Sequence, residues 1–373
     1  MKLAVVGTPG FIDRSYQTRT ETLFGRCGNN TGNLVFWYAF QSHVVAHEKK
    51  YFPFHFNPVE VNKCDAVVIL YANHVISNFD LGPLLDRLDA VRVPVIALGL
   101  GLQAKLDSSV GSLPEGSVEY LKLLASKTET IGVRGAQTAK ALHDIGIDNT
   151  AVLGCVSNFM TSDLGHRLTP WKGHAVNKIL LSNDYSNVSN ALNQAINSSF
   201  PNAHVENVVQ APLELLKLAR NDADVDAGLD RERLHKFLAP LVNPERSLDS
   251  LLQSVTAYFD ARAWLEKAKA YDLALGTRMH GNMIALQAGR PTLFCVHDAR
   301  TDELCEAMCL PSVRIDVLPL NLEEWLEESL SRDALNTYLE RREELFADYL
   351  QFLGRANLAI TPRLKTLLAK ARR

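Results

Sequence analysis

The chain has 373 residues, of which 47% are hydrophobic and 22% charged, and its formal net charge is -3. This length favours two domains over one, and the charge balance argues against a nucleic-acid-binding protein. No apolar run approaches the ~18 residues of a transmembrane helix, and the run at 3–6 is too short for a signal-peptide core. We therefore expect a soluble cytoplasmic protein, with peripheral association at the inner face of a membrane left open.

The cysteines form neither a metal-binding nor a disulfide pattern. None of the six belongs to a CxxC pair or stands at zinc-finger spacing from a histidine. Cys64, Cys155 and Cys295 lie in apolar, strand-like surroundings that are typical of buried reduced thiols. Reduced thiols fit a cytoplasmic protein, and we expect no metal site.

The first part of the chain alternates between strand-like and helix-like segments. Strands are predicted at 3–6, 64–70, 93–98, 130–133 and 151–153, and helices at 34–45, 81–88, 118–126 and 136–143. This alternation is typical of a parallel, doubly wound domain. The turn after the first strand, GTPG, lacks the G-x-G-x-x-G spacing, which argues against a nicotinamide or flavin site.

Two glycine-containing loops in this part are candidates for ligand contact. One precedes the helix at 34–45, and its polar or flexible residues are Gly25, Gly28, Asn29, Asn30, Gly32 and Asn33. The other ends the strand at 93–98 and holds Gly99, Gly101 and Gln103. Glycine allows backbone N–H groups to approach a ligand closely. A tight turn without a functional role is an equally good interpretation of the first loop.

Residues 161–176 interrupt the alternation. They contain a proline, two glycines and two histidines but little periodic hydrophobicity, which predicts a domain linker. A second series follows, with strands at 178–181, 205–209, 273–275, 292–296 and 313–317, and helices at 190–197, 213–220, 232–238, 247–259, 261–270, 322–330 and 331–353. We predict an N-terminal domain at 1–165, a C-terminal domain at 176–335, and a helical tail at 336–373 that can run back over the first domain.

The segment GTRMHGNMIALQAGRP (276–291) carries the strongest candidate site. It follows a short strand, so its turn should lie at the carboxyl edge of a parallel sheet, where α/β proteins bind ligands. Arg278 can hold a carboxylate or phosphate with its fork of donors, and His280 can transfer a proton near neutral pH. The N-terminus of the next helix also attracts anions. On spacing alone, a capping arginine and a packed histidine are an equally good interpretation.

Four segments resemble the polysaccharide pyruvyl transferase family. GTRMHGNMIALQAGRP matches the family pattern G-x-R-x-H-G-x-x-x-A-x-x-x-G-x-P at each stated position. IGVRGAQTAKAL (131–142) is similar to its V-R-(E/D)-x-x-(S/T) segment, GCVSNFM (154–160) to its G-C-P-S or P-D segment, and GNNTGN (28–33) to its G-N-x-G-D loop. The chain departs from these patterns at Asn33, Gly135 and Val156, where the family often has aspartate, an acidic residue and proline.

The resemblance implies an α/β fold of two Rossmann-like doubly wound domains in a glycosyltransferase-B-like arrangement, with a cleft between them. It implies a transferase that moves the pyruvyl group of phosphoenolpyruvate onto a sugar hydroxyl pair. The acceptor would be a cell-surface polysaccharide, such as an exopolysaccharide, or its lipid-linked precursor. The product would be a cyclic pyruvate ketal, with release of phosphate. This chemistry requires no metal or cofactor, since phosphoenolpyruvate is a co-substrate, and such chains are commonly homodimers.

Within this resemblance, His280 is the expected general acid/base and Arg278 the second catalytic residue. Phosphoenolpyruvate carries a phosphate and a carboxylate, so we expect two cationic groups around it. The predicted donor-binding residues are Arg134, Arg278, Gly276, Gly281 and Asn282. The predicted acceptor-binding residues are Asn29, Asn30, Gly32, Asn33, Gly99, Gly101, Gln103, His297 and Asp298. Either of the last two could supply a second proton-transfer group, although a solvated histidine at a strand end is a simpler interpretation of His297.

Two other functions are compatible with the sequence. A glycosyltransferase of the same architecture could hold the diphosphate of a nucleotide sugar at the helix N-terminus, with Arg278 neutralising it. A non-catalytic glycan- or anion-binding relative is compatible with the departures at Asn33, Gly135 and Val156.

Overall fold

The computed structural model describes residues 1–183, 187–224, 229–318 and 321–371. The described strands form two parallel sheets of six strands each and one antiparallel pair. The strands are β1 (Lys2–Val6), β2 (Val44–Val45), β3 (Glu48–Phe52), β4 (Ala66–Leu70), β5 (Val95–Leu100), β6 (Ile131–Val133), β7 (Thr150–Val152), β8 (Lys178–Leu181), β9 (His204–Val208), β10 (Val255–Thr256), β11 (Leu273–Gly276), β12 (Thr292–Val296), β13 (Ser312–Arg314) and β14 (Ala359–Ile360).

Helices connect these strands and cover the faces of both sheets. The α-helices are α1 (Thr20–Arg26), α2 (Asn33–His43), α3 (Pro58–Val61), α4 (Leu85–Asp89), α5 (Glu115–Lys127), α6 (Ala136–His143), α7 (Leu164–Arg167), α8 (Asn187–Ser199), α9 (Leu213–Ala219), α10 (Arg231–Leu238), α11 (Leu248–Gln253), α12 (Ala261–Ala268), α13 (Met279–Gln287), α14 (Ala299–Met308), α15 (Leu322–Ser329), α16 (Arg332–Arg355) and α17 (Pro362–Ala371). None of the described helices combines the length and the apolar character needed to cross a bilayer.

The central strands are continuous apolar runs because helices cover both of their faces. Every residue of β4 and of β12 is buried. Such runs have no period-2 alternation, and they mark fully covered parallel strands in the sequence.

The first sheet has the strand order β3-β1-β4-β5-β6-β7, and every pairing in it is parallel. The chain begins in β1, adds β3 on one side, and then builds outward from β4 on the other side. The side on which new strands are added therefore changes between β1 and β4. In an open parallel sheet, such a switch point leaves a crevice at the carboxyl ends of the two strands.

The second sheet has the order β10-β9-β8-β11-β12-β13, again with parallel pairings. The chain begins this sheet with β8 and adds β9 and β10 on one side of it. It then returns to the other side for β11, β12 and β13, which is the Rossmann order. The switch point of this sheet lies between β8 and β11. The expected fold class of two Rossmann-like doubly wound domains is confirmed.

The carboxyl edges of the two sheets face each other. Gln103 Nε2, after β5, donates a hydrogen bond to Asp298 Oδ2, after β12, at 3.0 Å. The backbone N–H of Thr31 in the first half donates to the carbonyl oxygen of Gln210 in the second at 3.1 Å. The strands of the first sheet all lie before residue 165, and those of the second lie between 176 and 335. This is the glycosyltransferase-B-like arrangement that was expected.

The last long helix, α16, returns the chain to the first half. Arg342 on α16 donates from Nε to the carbonyl oxygen of Asn158 at 2.8 Å and from Nη2 to that of Thr161 at 2.6 Å. Beyond this helix, β14 pairs antiparallel with β2. A second contact joins the segment 161–177 to the chain just before α16, where Trp171 N donates a hydrogen bond to Leu330 O at 3.0 Å. The two backbone crossings between the halves therefore lie side by side.

Two of the differences from the predicted elements concern strands at sheet edges. The strand β3 was not predicted because its sequence, EKKYF, is half-buried at a sheet edge and lacks an apolar run. The helix predicted at 247–259 ends at Gln253, because Val255 and Thr256 form β10 and pair with β9. β-Branched residues favour strands where a partner edge is available.

Candidate active site

The turn after β11 brings a helix N-terminus against the end of β8. Gly276 has φ +153°, and a Cβ there would lie 2.1 Å from the carbonyl oxygen of Ser182. A Cβ at Gly281 would lie 2.0 Å from Ser182 Oγ. Both predicted donor-site glycines are therefore required by close packing at the switch point of the second sheet. The helix α13 begins at Met279 with Arg278 as N-cap, two residues earlier than predicted, so His280 lies in its first turn.

His280 is buried at the junction of the two halves. Its side chain is 5% exposed, its Nε2 lies 3.6 Å from Cys155 Sγ, and its ring centroid is 5.3 Å from that of Phe36. Burial, reinforced by the positive charges of Arg134 and Arg300, holds the pKa of His280 well below its usual value. The imidazole is therefore neutral at pH 7 in the unliganded protein.

Arg134, directly after β6, is a buried cation. It is 2% exposed, and its Cζ lies 5.6 Å from the centroid of the Phe36 ring. A Cβ at Gly101 would lie 2.6 Å from Arg134 Cδ, so the glycine makes room for this side chain. Its guanidinium forms no hydrogen bond or ion pair with any described residue. Burial of an unpaired cation is costly, and burial lowers the pKa of Arg134. Such an arrangement is typical of an anion-binding site.

Gly99 lies in β5, which pairs with the strand that Arg134 follows. Its φ is +80°, and a Cβ there would lie 3.1 Å from the carbonyl oxygen of Tyr71. Its left-handed backbone turns the chain toward Gly101. Both glycines thus shape the edge rather than line an open cavity.

A third arginine at the junction was not predicted from the sequence. Arg300, near the start of α14, is 9% exposed, and its Nη2 lies 3.2 Å from Asp298 Oδ2. Its charge contributes to the lowered pKa values of both Arg134 and His280, so it lies close to them. The positive potential here therefore comes from both halves of the molecule.

Asp298 joins the two halves as an ionised anchor. Its Oδ1 accepts from Thr301 N at 2.8 Å in a capping box, and its Oδ2 accepts from Gln103 Nε2 at 3.0 Å. Burial alone would raise the pKa of Asp298, but Arg300, His297 and the hydrogen bonds from Thr301 outweigh it and lower this pKa well below its usual value. A carboxylate of this kind has no proton to donate at neutral pH. His297 Nε2 lies 3.5 Å from Asp298 Oδ2.

Several buried polar atoms cluster near Gly281 without a hydrogen-bond partner among the described residues. They are Thr31 Oγ1, Ser182 Oγ, Gln210 Nε2 and Asn282 Oδ1. A Cβ at Gly281 would lie within 2.7 Å of both Ser182 Oγ and Gln210 Nε2, and Asn282 Nδ2 donates to Gly276 O at 2.6 Å. Buried polar atoms are normally hydrogen-bonded in proteins. This cluster therefore fits a place where a polar ligand binds.

The N-terminal loop 28–33 is folded by its own amides. Asn30 Oδ1 accepts from Gly32 N at 2.8 Å, and Asn33 Nδ2 donates to Cys27 O at 2.9 Å. An aspartate at position 33 could not donate this bond, so the departure at Asn33 has a structural consequence. A Cβ at Gly32 would lie 2.2 Å from Gln210 Oε1, which shows how tightly the loop meets the second half.

The departure at Gly135 is matched by an acidic residue from the other half. Glu303 on α14 accepts hydrogen bonds from Thr138 N at 3.0 Å and from Thr138 Oγ1 at 2.7 Å. A Cβ at Gly135 would lie 2.7 Å from Glu303 Oε2. Glu303 therefore occupies the space that a side chain at position 135 would need.

Val156 is compatible with the family's proline at its position. It is the first residue of a short 3-10 helix, Val156–Phe159, whose N-cap is Cys155. A helix tolerates proline at its first position because the N–H there has no partner within the helix. This departure therefore leaves the local backbone unchanged.

Asn29, Asn30 and Asn33 line a pocket of about 520 Å³ in the first half. Gly32, Gly99, Gly101, Gln103, His297 and Asp298 do not line it. Of these, Gly32, Gln103 and Asp298 make contacts between the halves. The pocket also contains aromatic residues that the sequence did not single out, among them Trp37, Phe54 and Phe79.

Comparisons with known proteins identify the family of this chain. A family model described as polysaccharide pyruvyl transferase matches residues 30–299, which is most of the chain. The matched range contains the helix N-terminus, Arg134, Arg278 and residues 30–33 of the N-terminal loop, and it ends one residue before Arg300. None of the curated proteins matches the sequence significantly.

Solved structures with a similar fold include the following three proteins. Anabaena HepE in complex with UDP has 11% identity and a TM-score of 0.49, over 95% of this chain and 99% of that one. A trehalose-phosphate synthase from Burkholderia vietnamiensis has 11% identity and a TM-score of 0.42, over 94% and 84%. The UDP-GlcNAc 2-epimerase of Methanocaldococcus jannaschii has 12% identity and a TM-score of 0.41, over 88% and 91%. Similarity at this level does not identify a substrate for this chain.

Proposed function

Because the chain belongs to the polysaccharide pyruvyl transferase family, we propose that it transfers the pyruvyl group of phosphoenolpyruvate to a glycan. The acceptor is a pair of hydroxyl groups on one sugar of a cell-surface polysaccharide or its lipid-linked precursor. The products are a cyclic pyruvate ketal and inorganic phosphate.

The observation that carries this proposal is the unpaired, buried Arg134 beside His280. An anion that binds there gains charge-assisted hydrogen bonds and removes the cost of an isolated buried cation. Arg300 adds a second buried positive charge, and Arg278 is the N-cap residue of the helix that carries His280. Phosphoenolpyruvate carries a phosphate and a carboxylate on one carbon, so a site with more than one cation suits it.

The reaction needs one proton on the methylene carbon and two hydroxyl attacks at C2. Protonation of the methylene carbon makes C2 an electrophile, and the first hydroxyl adds to it. Phosphate leaves, and the second hydroxyl closes the ketal ring. The two hydroxyl protons end on the new methyl group and on the released phosphate, so the reaction balances.

His280 is the proposed proton-transfer residue. In the unliganded protein its lowered pKa keeps it neutral, which leaves a ring nitrogen able to accept a hydroxyl proton. Binding of the anionic donor between the arginines offsets their positive charge and raises the pKa of His280. The residue can then hold the proton that it passes to the donor.

The test combines ligand binding with phosphate release. We expect phosphoenolpyruvate to raise the Tm, because a ligand that binds only the folded state stabilises it by mass action. The increase should be lost in Arg278→Ala and Arg134→Met and kept in Arg19→Met, whose side chain is exposed. Phosphate release should require a glycan acceptor.

Two results would reject this function. Stabilisation by a nucleotide sugar but not by phosphoenolpyruvate would favour a glycosyltransferase. Binding of phosphoenolpyruvate without phosphate release on any glycan would favour a non-catalytic relative.

A further inference from the structure

The pocket of about 520 Å³ opens at the switch point of the first sheet. Leu70, the last residue of β4, lines it, and so do Ala72 and Asn73 beyond that strand. Trp37, another wall residue, packs against Gly7, which follows β1. Ligands of open parallel sheets bind at such crevices, and the volume is in the usual range for small-molecule sites. The pocket is thus placed and sized for a ligand.

Aromatic rings form much of its wall. Phe36, Trp37, Phe54 and Phe79 line it. The Phe54 ring stacks on His74 with centroids 4.7 Å apart and an interplanar angle of 8°. Phe79 is 50% exposed at the rim, unusual for so large an apolar side chain. Flat aromatic surfaces of this kind bury the C–H face of a pyranose ring.

Side-chain amides supply the polar part of the pocket. Asn73 Nδ2 donates to Gln103 Oε1 at 2.8 Å, so its own carbonyl oxygen is available. Asn30 Oδ1 accepts from Gly32 N, so its NH2 group is available. Asn29 is exposed at the edge of the pocket. Amides both donate and accept, which matches sugar hydroxyls that do the same.

The pocket carries no fixed charge among its described lining residues, which include no Lys, Arg, Asp or Glu. Burial, followed by the charge of Arg134, lowers the pKa of His74 to about 4, so this histidine is neutral at pH 7. A carboxylate or phosphate placed here would lose its hydration and would find no lysine or arginine in the wall with which to pair. The chemistry therefore selects an uncharged ligand.

Phe36 connects this pocket to the cationic junction. Its ring centroid is 5.6 Å from that of Trp37 on the pocket side. On the other side it is 5.3 Å from the His280 ring and 5.6 Å from Arg134 Cζ. We infer that the pocket is the acceptor subsite and holds an uncharged pyranose, stacked on its aromatic wall, with the reacting hydroxyls directed past Phe36. This inference rests on the proposed pyruvyl transfer and specifies its acceptor.

Direct binding tests the inference without turnover. The probes are the methyl glycosides of glucose, galactose, mannose and N-acetylglucosamine, with methyl glucuronide and methyl galacturonide as charged counterparts. Saturation-transfer NMR on the full chain should show transfer to at least one neutral glycoside and none to its uronide. UDP should not displace it. Transfer to uronides alone, displacement by UDP, or no transfer to any neutral glycoside would overturn the inference.

A rim variant gives the kinetic test. Phe79→Ala removes a half-exposed ring, so it should fold normally. We expect it to raise the KM for the glycan acceptor about tenfold, the effect of losing one stacking contact and its buried area, and to leave the KM for phosphoenolpyruvate unchanged. Tyr16→Ala, which truncates a 77% exposed ring outside the pocket, is the matched control and should change neither KM.

The two proposals fail in different ways. Acceptor-dependent phosphate release with an unchanged acceptor KM in Phe79→Ala would reject the subsite and leave pyruvyl transfer standing. Phe79-dependent binding of a neutral glycoside without phosphate release would reject pyruvyl transfer and leave the sugar subsite standing.

Discussion

The two switch points of the molecule have opposite character. At the switch point of the second sheet lie a helix N-terminus with Arg278 as its N-cap residue and buried polar atoms that lack a partner among the described residues, and the buried cation of Arg134 lies near His280 of that helix. At the switch point of the first sheet, aromatic rings and amides enclose an uncharged pocket. The same topological device thus makes two sites whose ligands must differ in charge. This difference is what a transferase with an anionic donor and a neutral acceptor requires.

The largest effect should come from His280. His280→Ala should lower kcat about 10²–10⁴-fold, because that is the usual contribution of a proton-transfer group, and should leave phosphoenolpyruvate binding intact. His74→Ala, in the uncharged pocket, should instead raise the acceptor KM by less than about tenfold. Steady-state kinetics with both substrates distinguishes the two. A near-normal kcat in His280→Ala would show that the assignment is wrong.

Arg134 should show opposite effects on activity and stability. Arg134→Met should lower kcat/KM for phosphoenolpyruvate about 10²–10³-fold, the usual effect of removing a preorganised charge-stabilising donor. The same change should keep or raise the Tm, because an unpaired buried cation is replaced by an apolar side chain of similar length. Kinetics and thermal unfolding on one preparation test both. A fall in Tm with normal kinetics would assign Arg134 a structural role.

A smaller effect concerns the close packing of Gly135 against Glu303. Gly135→Asp should lower the free energy of unfolding by about 2 kcal/mol, since its side chain meets Glu303 in a buried site. Adding Glu303→Ala should recover part of that loss. Urea denaturation of the two single variants and the double variant gives the coupling. Additive losses would mean that the two positions do not share a site.

The smallest effect is the pH dependence of stability. Burial lowers the pKa of His43 to about 3, and the pKa of His280 is also well below 6.5. In the unfolded chain both titrate near 6.5, so below that pH the unfolded state binds more protons and stability falls. Between pH 7 and 5.5 we expect each to remove about 1 kcal/mol.

Urea denaturation at the two pH values measures this loss. His43→Gln, which keeps a neutral hydrogen-bonding side chain, should reduce the pH dependence. An unchanged dependence in this variant would mean that His43 is not kept neutral by burial.

The fold followed from the sequence because its central strands are continuous apolar runs, as β4 and β12 show. Arg278 and His280 could also be found, because they lie within one short motif. Arg300 and Glu303 could not be identified from the sequence, because both lie on an ordinary amphipathic helix and act on residues of the other half. Phe54 and Phe79 come from separate loops, and only folding brings them to one pocket.

The side-by-side crossings of the chain between the two halves have a mechanical consequence. One crossing is the segment 161–177 and the other is α16, and Arg342 ties them together at the backbone of Asn158 and Thr161. Two parallel connections at one border act as a hinge, which permits rotation but resists sliding and separation. The halves should therefore open most widely at the border away from α16. If the chain acts as proposed, phosphoenolpyruvate and the glycan would both enter through that opening, and one rotation would control the exchange of both substrates.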